Sequence, residues 1–116
     1  KPLLVLTDKD KLKIAFMNII VNAIEAMEER SADRQIFIRI YHKDKYVITE
    51  ITDNGCGMSQ ESLSRLFEPY YTSKRNGMGL GLASTMNIIQ SHKGFIEVKS
   101  VEGRGTTFVV NLPIQN

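Results

Sequence analysis

Three short clusters in this chain combine residue types and spacings that suit chemistry: Asn18 with Asn22, Asp53-Asn-Gly-Cys-Gly-Met58, and Gly77-Met-Gly-Leu-Gly-Leu82. In the second, a strand-like run ends at Thr52 and delivers one carboxylate just where Gly55 and Gly57 let the chain turn. A buried carboxylate accepts hydrogen bonds and donates none, so it suits an exocyclic amino group such as that of adenine and disfavours a carbonyl in the same place. The glycines let backbone come close to a flat ring, and Met58 can pack softly against it. Asp-Asn-Gly also makes an ordinary turn with no ligand at all. Asn18 and Asn22 are four residues apart, which on a helix sets both amides on one face, one turn above the other. A carboxamide oxygen there can bind a hard cation such as Mg²⁺ that bridges phosphates. Asparagine has poor mid-helix propensity, so the pair needs a reason; the alternative is two satisfied polar residues at a helix-sheet junction. The third cluster leads into a predicted helix, where backbone amides attract anions and glycines admit phosphate oxygens. The dinucleotide fingerprint is not met, because its last glycine falls on Leu82 or Ser84, and no Gly-Lys-Ser or Gly-Lys-Thr supplies a Walker loop. A glycine-rich hinge is the other reading.

The elements that must position these clusters follow from periodicity. Leu3 to Leu6 form a short apolar run, and Thr7 or Asp8 offers an N-cap to a first helix. Leu12, Phe16, Ile19, Ile20, Ala23 and Met27 recur at three- and four-residue steps, predicting a buried stripe on a helix of about five turns that ends near Glu29 to Ala32. Residues 35–42 and 46–52 alternate with Ile, Tyr, Val and Thr, predicting an antiparallel pair joined through His-Lys-Asp-Lys. A short helix over Ser59 to Phe67 and a proline-containing loop rich in aromatics come next. A helix from Gly79 to Ser91, with Leu82, Met86 and Ile89 at helical steps, stops at Gly94. Two strands, 95–100 and 106–112, close the chain around a Glu-Gly-Arg-Gly turn. The expected fold is an α/β (α+β) two-layer sandwich: a mixed, mostly antiparallel sheet of about five strands with about three helices on one face.

Composition narrows the function classes. A chain of 116 residues has room for one core and is expected to be one domain. With 42% hydrophobic and 24% charged residues it matches a soluble globular protein, and no apolar run approaches the ~20 residues that span a bilayer. A net charge of +2, with basic residues scattered among acidic ones, gives no case for a nucleic-acid partner. The single cysteine, Cys56, excludes an internal disulfide and a multi-cysteine zinc site, and fits a cytoplasmic setting.

Taken in order, Asn18 and Asn22, Asp53 to Met58, Phe67 to Lys74, Gly77 to Leu82, and Gly103 to Phe108 resemble the N, G1, F, G2 and G3 boxes of histidine kinase catalytic and ATP-binding domains. Those domains belong to the GHKL superfamily, whose architecture is the Bergerat ATP-binding fold. The resemblance runs from Thr7 to Pro113. It implies ATP and Mg²⁺ as ligands, with Asn22 as metal ligand and Asp53, Gly55, Gly57 and Met58 at the adenine. It also implies that Thr106 holds adenine through water and that the amides of Gly79, Leu80, Gly81 and Leu82, following Gly77, form the phosphate cradle. Residues from about 58 to 78 would be the ATP lid, with Phe67 anchoring it and Lys74 reaching the phosphates; Tyr70 and Tyr71 would pack it.

Two departures bear on mechanism. Asn18 lies where the ATP-hydrolysing relatives place a glutamate base for water. An amide takes no proton at neutral pH, so the resemblance implies phosphotransfer rather than hydrolysis, with Asn18, Asn22 and Lys74 as the catalytic set. Glu25 stands where some relatives carry a phosphate-binding lysine, which leaves that burden on Lys74, with Arg75 as a second candidate. The phosphoacceptor histidine of such kinases lies on an upstream helical hairpin, and His42 and His92 do not match it. The expected partners are therefore a dimerisation and phosphoacceptor domain of the same parent and a response regulator receiver domain. The isolated domain is expected to be a monomer and the parent a homodimer, possessing or lacking a membrane anchor. A non-catalytic, ATP-driven conformational switch is the alternative, and a GHKL hydrolase a third.

Overall fold

The computed structural model describes residues 9–28, 33–68 and 81–114. Along the chain these form α1 (Lys9–Ala26), β1 (Ile36–Lys43), β2 (Tyr46–Asp53), α2 (Gln60–Arg65), α3 (Gly81–Ser91), β3 (Phe95–Val101) and β4 (Gly105–Pro113). Among the described residues there are four strands, in the order β1-β2-β4-β3, with every neighbouring pair antiparallel. The sequence predicts about five strands in a mixed sheet; the Leu3 to Leu6 run lies outside the described residues.

Alternation along the strands sorts the sheet into two faces. Ile51, Phe108, Val110 and Leu112 project to one side and meet Ala15 and Ile19 of α1, Leu66 after α2 and Ile89 of α3 in a single core. β2 and β4 are the interior strands, so their residues carry that core, and α1 and α3 pack side by side over them. Ile38 and Ile40 stand opposite Ile51 and Thr49 on the same face, yet both remain exposed, because among the described residues β1 is an edge strand away from the helices.

α1 has the expected length, but its buried line runs through Ala15, Ile19, Ala23 and Met27. Leu12 and Phe16 flank the core and Ile20 is half-buried. The hydrophobic stripe read from sequence leaves out Ala15, since a small residue adds little to an apolar pattern; small size is what lets the helix axis approach its neighbours. Ile14, Met17, Val21 and Ile24 occupy the outward side of the helix and are exposed.

Local signals set the ends of most elements. Ser59 caps α2, its hydroxyl accepting from the Ser62 amide at 3.1 Å. The β1–β2 connection is tighter than the predicted four residues: Lys43 pairs with Tyr46, and Asp44, at φ 57°, makes the turn with Lys45. Asparagine and aspartate are the non-glycine residues that tolerate this left-handed geometry best. Gly94 does end α3, its amide donating to the Ile89 carbonyl at 3.0 Å, but the left-handed residue is Lys93, at φ 64°. Gly94 is required for space, because a Cβ there would run into the Asn111 carbonyl of β4.

Ile19 is fully buried whereas Ile14 is 52% exposed on the same helix. Ile19→Ala is expected to lower the unfolding free energy by about 2–5 kcal/mol and Ile14→Ala by about 0.5 kcal/mol or less, measured by urea denaturation.

Candidate functional site

Asp53 is the last residue of β2 and is 3% exposed. Its Oδ1 accepts a hydrogen bond from the Gly55 amide at 2.8 Å, closing a turn that lifts the chain off the sheet. Asn54 braces the turn from the other side: its Oδ1 accepts from the Gln35 amide at 3.0 Å, and its Nδ2 donates to the Asp33 carbonyl. The glycines after it meet neighbouring backbone. A Cβ on Gly55 would lie 2.5 Å from the Ala26 carbonyl oxygen at the end of α1, where the Cys56 amide also donates, at 3.0 Å. Gly57, at φ 69°, lies against the Val101 carbonyl of β3. The close approaches that call for these glycines are thus to α1 and to the β3–β4 hairpin.

Opposite Asp53 in the β2–β4 register stands Thr106, which is 4% exposed. Gly105, at φ 136°, precedes it and abuts the Asp53 carbonyl, so any side chain there would push the strands apart. The Thr106 hydroxyl lies 2.8 Å from the hydroxyl of Ser100, which also accepts from the Met58 amide at 2.8 Å and donates to the Gly105 carbonyl at 3.1 Å. Ser100 is not among the residues that the sequence singles out. The β3–β4 register pairs Val101 with Gly105 around a three-residue Glu-Gly-Arg turn, one residue shorter than the turn read from the sequence, so Ser100 faces Thr106.

The second half of the site lies at the start of α3. The Nδ2 of Asn18 donates to the Gly81 carbonyl at 3.1 Å, and the hydroxyl of the fully buried Thr85 donates to the same oxygen at 2.8 Å. Asn18 therefore sits at a helix-helix junction rather than a helix-sheet one. Asn22 is half-buried one turn further along α1. Gly81 is exposed as the first residue of α3, and Leu82 packs against the core. Met58 and Phe67 are half-buried against that core too, from either side of α2. Lys74, Gly77, Gly79 and Leu80, with Tyr70 and Tyr71, lie outside the described residues.

Two ends of one arrangement are thus held by α1. Asn18 touches the first residue of α3, Ala26 touches the glycine loop after Asp53, and Asn22 lies one turn from each. With a rise of about 1.5 Å per residue, each step is roughly 6 Å. A buried acceptor, a helix N-terminus suited to anions and an amide between them is a donor and acceptor set that fits a nucleoside polyphosphate. No cluster of three His, Cys, Asp or Glu side chains occurs among the described residues. An amide oxygen sharing a hard cation with phosphates needs no such cluster, and so Mg²⁺ fits the residues present.

The opposite, uncovered face of the sheet carries a different chemistry. A shallow hollow of about 240 Å³ lies at the end of the sheet, bounded by Thr52, Thr107, Lys99 and Arg104 and also by Asp53, Ser100 and Thr106. Nearby, the Tyr41 hydroxyl donates to Glu50 Oε2 at 2.7 Å, and that bond holds the phenol above its ordinary pKa. The Tyr41–Glu50 pair lies away from the face onto which Asp53 and Thr106 project, whereas the hollow reaches both of those residues at the end of the sheet.

A family model described as histidine kinase-, DNA gyrase B-, and HSP90-like ATPase matches residues 7–116. Sporulation kinase E of Bacillus subtilis is 42% identical over 109 residues, covering 93% of this chain and 14% of its own length. Sensor histidine kinase ZraS of Salmonella typhimurium is 40% identical over 107 residues, covering 92% of this chain and 23% of its own. The chain thus spans about a quarter or less of these curated relatives. Among solved structures, a mycobacterial sensor histidine kinase MprB superposes with a TM-score of 0.85 at 26% identity, covering 98% of this chain and 79% of that one. The catalytic domain of histidine kinase ThkA, in a nucleotide-free form, superposes at 0.80 with 30% identity, covering 94% and 70%.

Because Asn18 donates to a carbonyl, Asn18→Asp sets a carboxylate oxygen against the Gly81 oxygen. The substitution is expected to cost about 1–3 kcal/mol at pH 7. The introduced carboxyl would be held above its unfolded pKa, so the cost is present while it is ionised and is relieved as the pH falls through the folded value. Urea unfolding of variant and wild type across pH checks this; a loss independent of pH would contradict the assigned bond.

Proposed function

Because the chain belongs to the family of histidine kinase-, DNA gyrase B- and HSP90-like ATPases, we propose that it binds Mg-ATP and donates the γ-phosphoryl group to a histidine. That histidine lies on a separate dimerisation and phosphotransfer domain of the parent, and a response regulator receiver domain is charged from it. The observation that carries this reading is the buried Asp53 carboxylate, placed beside Thr106 at the start of the glycine loop. Only an acceptor is on offer there, and the amino group of adenine supplies the donor. The likeness to sensor histidine kinases over more than nine-tenths of the chain supports the same ligand.

In this reading Asn22 offers its amide oxygen to Mg²⁺, which when bound neutralises charge on the phosphates and fixes their geometry. The amides of Gly79 to Leu82 at the head of α3 hold the phosphate oxygens, and Lys74 balances charge on the transferring group. Asn18 keeps α3 in place through Gly81 and carries no group able to deprotonate water. The chain therefore positions ATP and leaves the attack to an outside nucleophile. The histidine nitrogen forms a bond to the γ-phosphorus as the bond to the leaving ADP oxygen breaks.

Mixing the protein with Mg²⁺, γ-labelled ATP and a cognate histidine-bearing domain is expected to label the histidine. ATP binding without label would leave only a conformational switch, and steady phosphate release in the absence of an acceptor would indicate a hydrolase. Asp53→Asn is expected to weaken ATP binding by about 1–3 kcal/mol through loss of a charge-assisted hydrogen bond, read by calorimetry. An unchanged dissociation constant in that variant contradicts the adenine assignment.

A further inference from the structure

We propose that Ser100 is a positioning residue that fixes the hydrogen-bond polarity of Thr106 and thereby makes the base-reading corner selective for an amino group. The proposal rests on the reading that a nucleotide base is recognised at Asp53.

A serine hydroxyl has one proton and two lone pairs. Three partners surround Ser100 Oγ: the Met58 amide at 2.8 Å, the Gly105 carbonyl at 3.1 Å and Thr106 Oγ1 at 2.8 Å. The amide can only donate and the carbonyl can only accept, so the serine proton goes to Gly105. The remaining lone pair then takes the proton of Thr106. With that proton turned toward Ser100, Thr106 Oγ1 offers only lone pairs to anything else it meets.

Asp53 and Thr106 face each other in the β2–β4 register and both are buried on the helix-facing side of the sheet. An ionised Asp53 likewise offers only acceptors, so the corner presents two acceptors side by side. A group with two N–H bonds, or one N–H and a bridging water, satisfies them. A carbonyl in the same place meets lone pairs on both sides, at the full cost of an unpaired buried acceptor. Without the Ser100 hydroxyl, Thr106 can rotate and donate, and the corner would tolerate a carbonyl through water. The same hydroxyl grips the Met58 amide, tying the glycine loop to the start of β4 and holding the corner in register. Selectivity at this corner is therefore assigned to a side chain that need not touch the base.

The test compares ATP with inosine triphosphate, which carries a carbonyl where adenine has its amino group, by calorimetry on the 116-residue chain. Ser100→Ala is expected to narrow the ATP-to-ITP affinity ratio by about three- to tenfold. Should the alanine variant not fold, Ser100→Thr and Ser100→Val decide, because they share a shape suited to a strand and differ in the hydroxyl. The threonine variant is expected to keep the wild-type ratio and the valine variant to narrow it. A merely structural serine would lower the melting temperature in the alanine and valine variants and leave the ratio unchanged, which overturns the proposal. A wild-type protein that binds ATP and ITP equally overturns base reading at Asp53 and the role of Ser100 with it, and one that binds neither overturns the nucleotide reading itself.

Discussion

The site hangs on one backbone contact, that of Gly105 against the carbonyl of Asp53. Interior strands of a sheet are usually held by long ladders, and here the β2–β4 ladder ends at the candidate site, with Asp53 facing Thr106. The approach admits no Cβ, so the strands can reach this pairing only with glycine at position 105. Because β3 is the hairpin partner of β4, the same contact determines where Ser100 falls and which loop it can hold. Core residues Ile51, Phe108 and Val110 share that register, so shifting it by one residue would carry both the core and the acceptor pair to the wrong face.

A carboxylate that is 3% exposed is costly unless hydrogen bonds replace its water. The Gly55 amide supplies one at 2.8 Å, and the turn that presents this amide is the same turn that sends the loop toward α1. The stabilisation of the charge and the shape of the loop are therefore one feature. Gly55 and Gly57 contribute by letting that loop lie on the Ala26 and Val101 backbones. This restrains the loop where a base would meet it, which limits the ordering left to be done when a ligand arrives.

Much of this architecture is legible in the order of the amino acids. The long period of α1, the alternation of β1 and β2, and the short helix beginning near Ser59 each rest on local rules that a sequence states directly. The features that escape such rules are consequences of contact between distant segments. Gly94 looks like a helix stop because glycine accepts left-handed geometry, yet Lys93 adopts that geometry and Gly94 makes room for β4. Asn18 looks like half of a ligand pair, and its Nδ2 has a further role that no local rule states, donating to a carbonyl 63 residues away. Ser100 is an ordinary strand residue until Met58, Gly105 and Thr106 converge on it. Ala15 stays hidden because tight packing of a helix against its neighbours selects for small residues, which weigh little in any hydrophobic pattern.

The spacing along α1 explains why two asparagines belong on it. On the proposed reading, a base-reading corner and a phosphate-binding helix end must be held a fixed distance apart for one ligand to engage both. α1 does this as a rigid rod: Asn18 grips the head of α3, Ala26 accepts from the loop behind Asp53, and two turns of helix, roughly 12 Å, separate them. Asn22 falls midway on the same face, where an amide oxygen can serve a cation between phosphates without adding a charge of its own. A carboxylate at position 18 would serve catalysis of water attack, but it would oppose the Gly81 carbonyl that the present amide holds. In this chain the geometric role of that position and the absence of a base are therefore the same choice, which is what the proposed transfer of a γ-phosphoryl group to an external acceptor calls for.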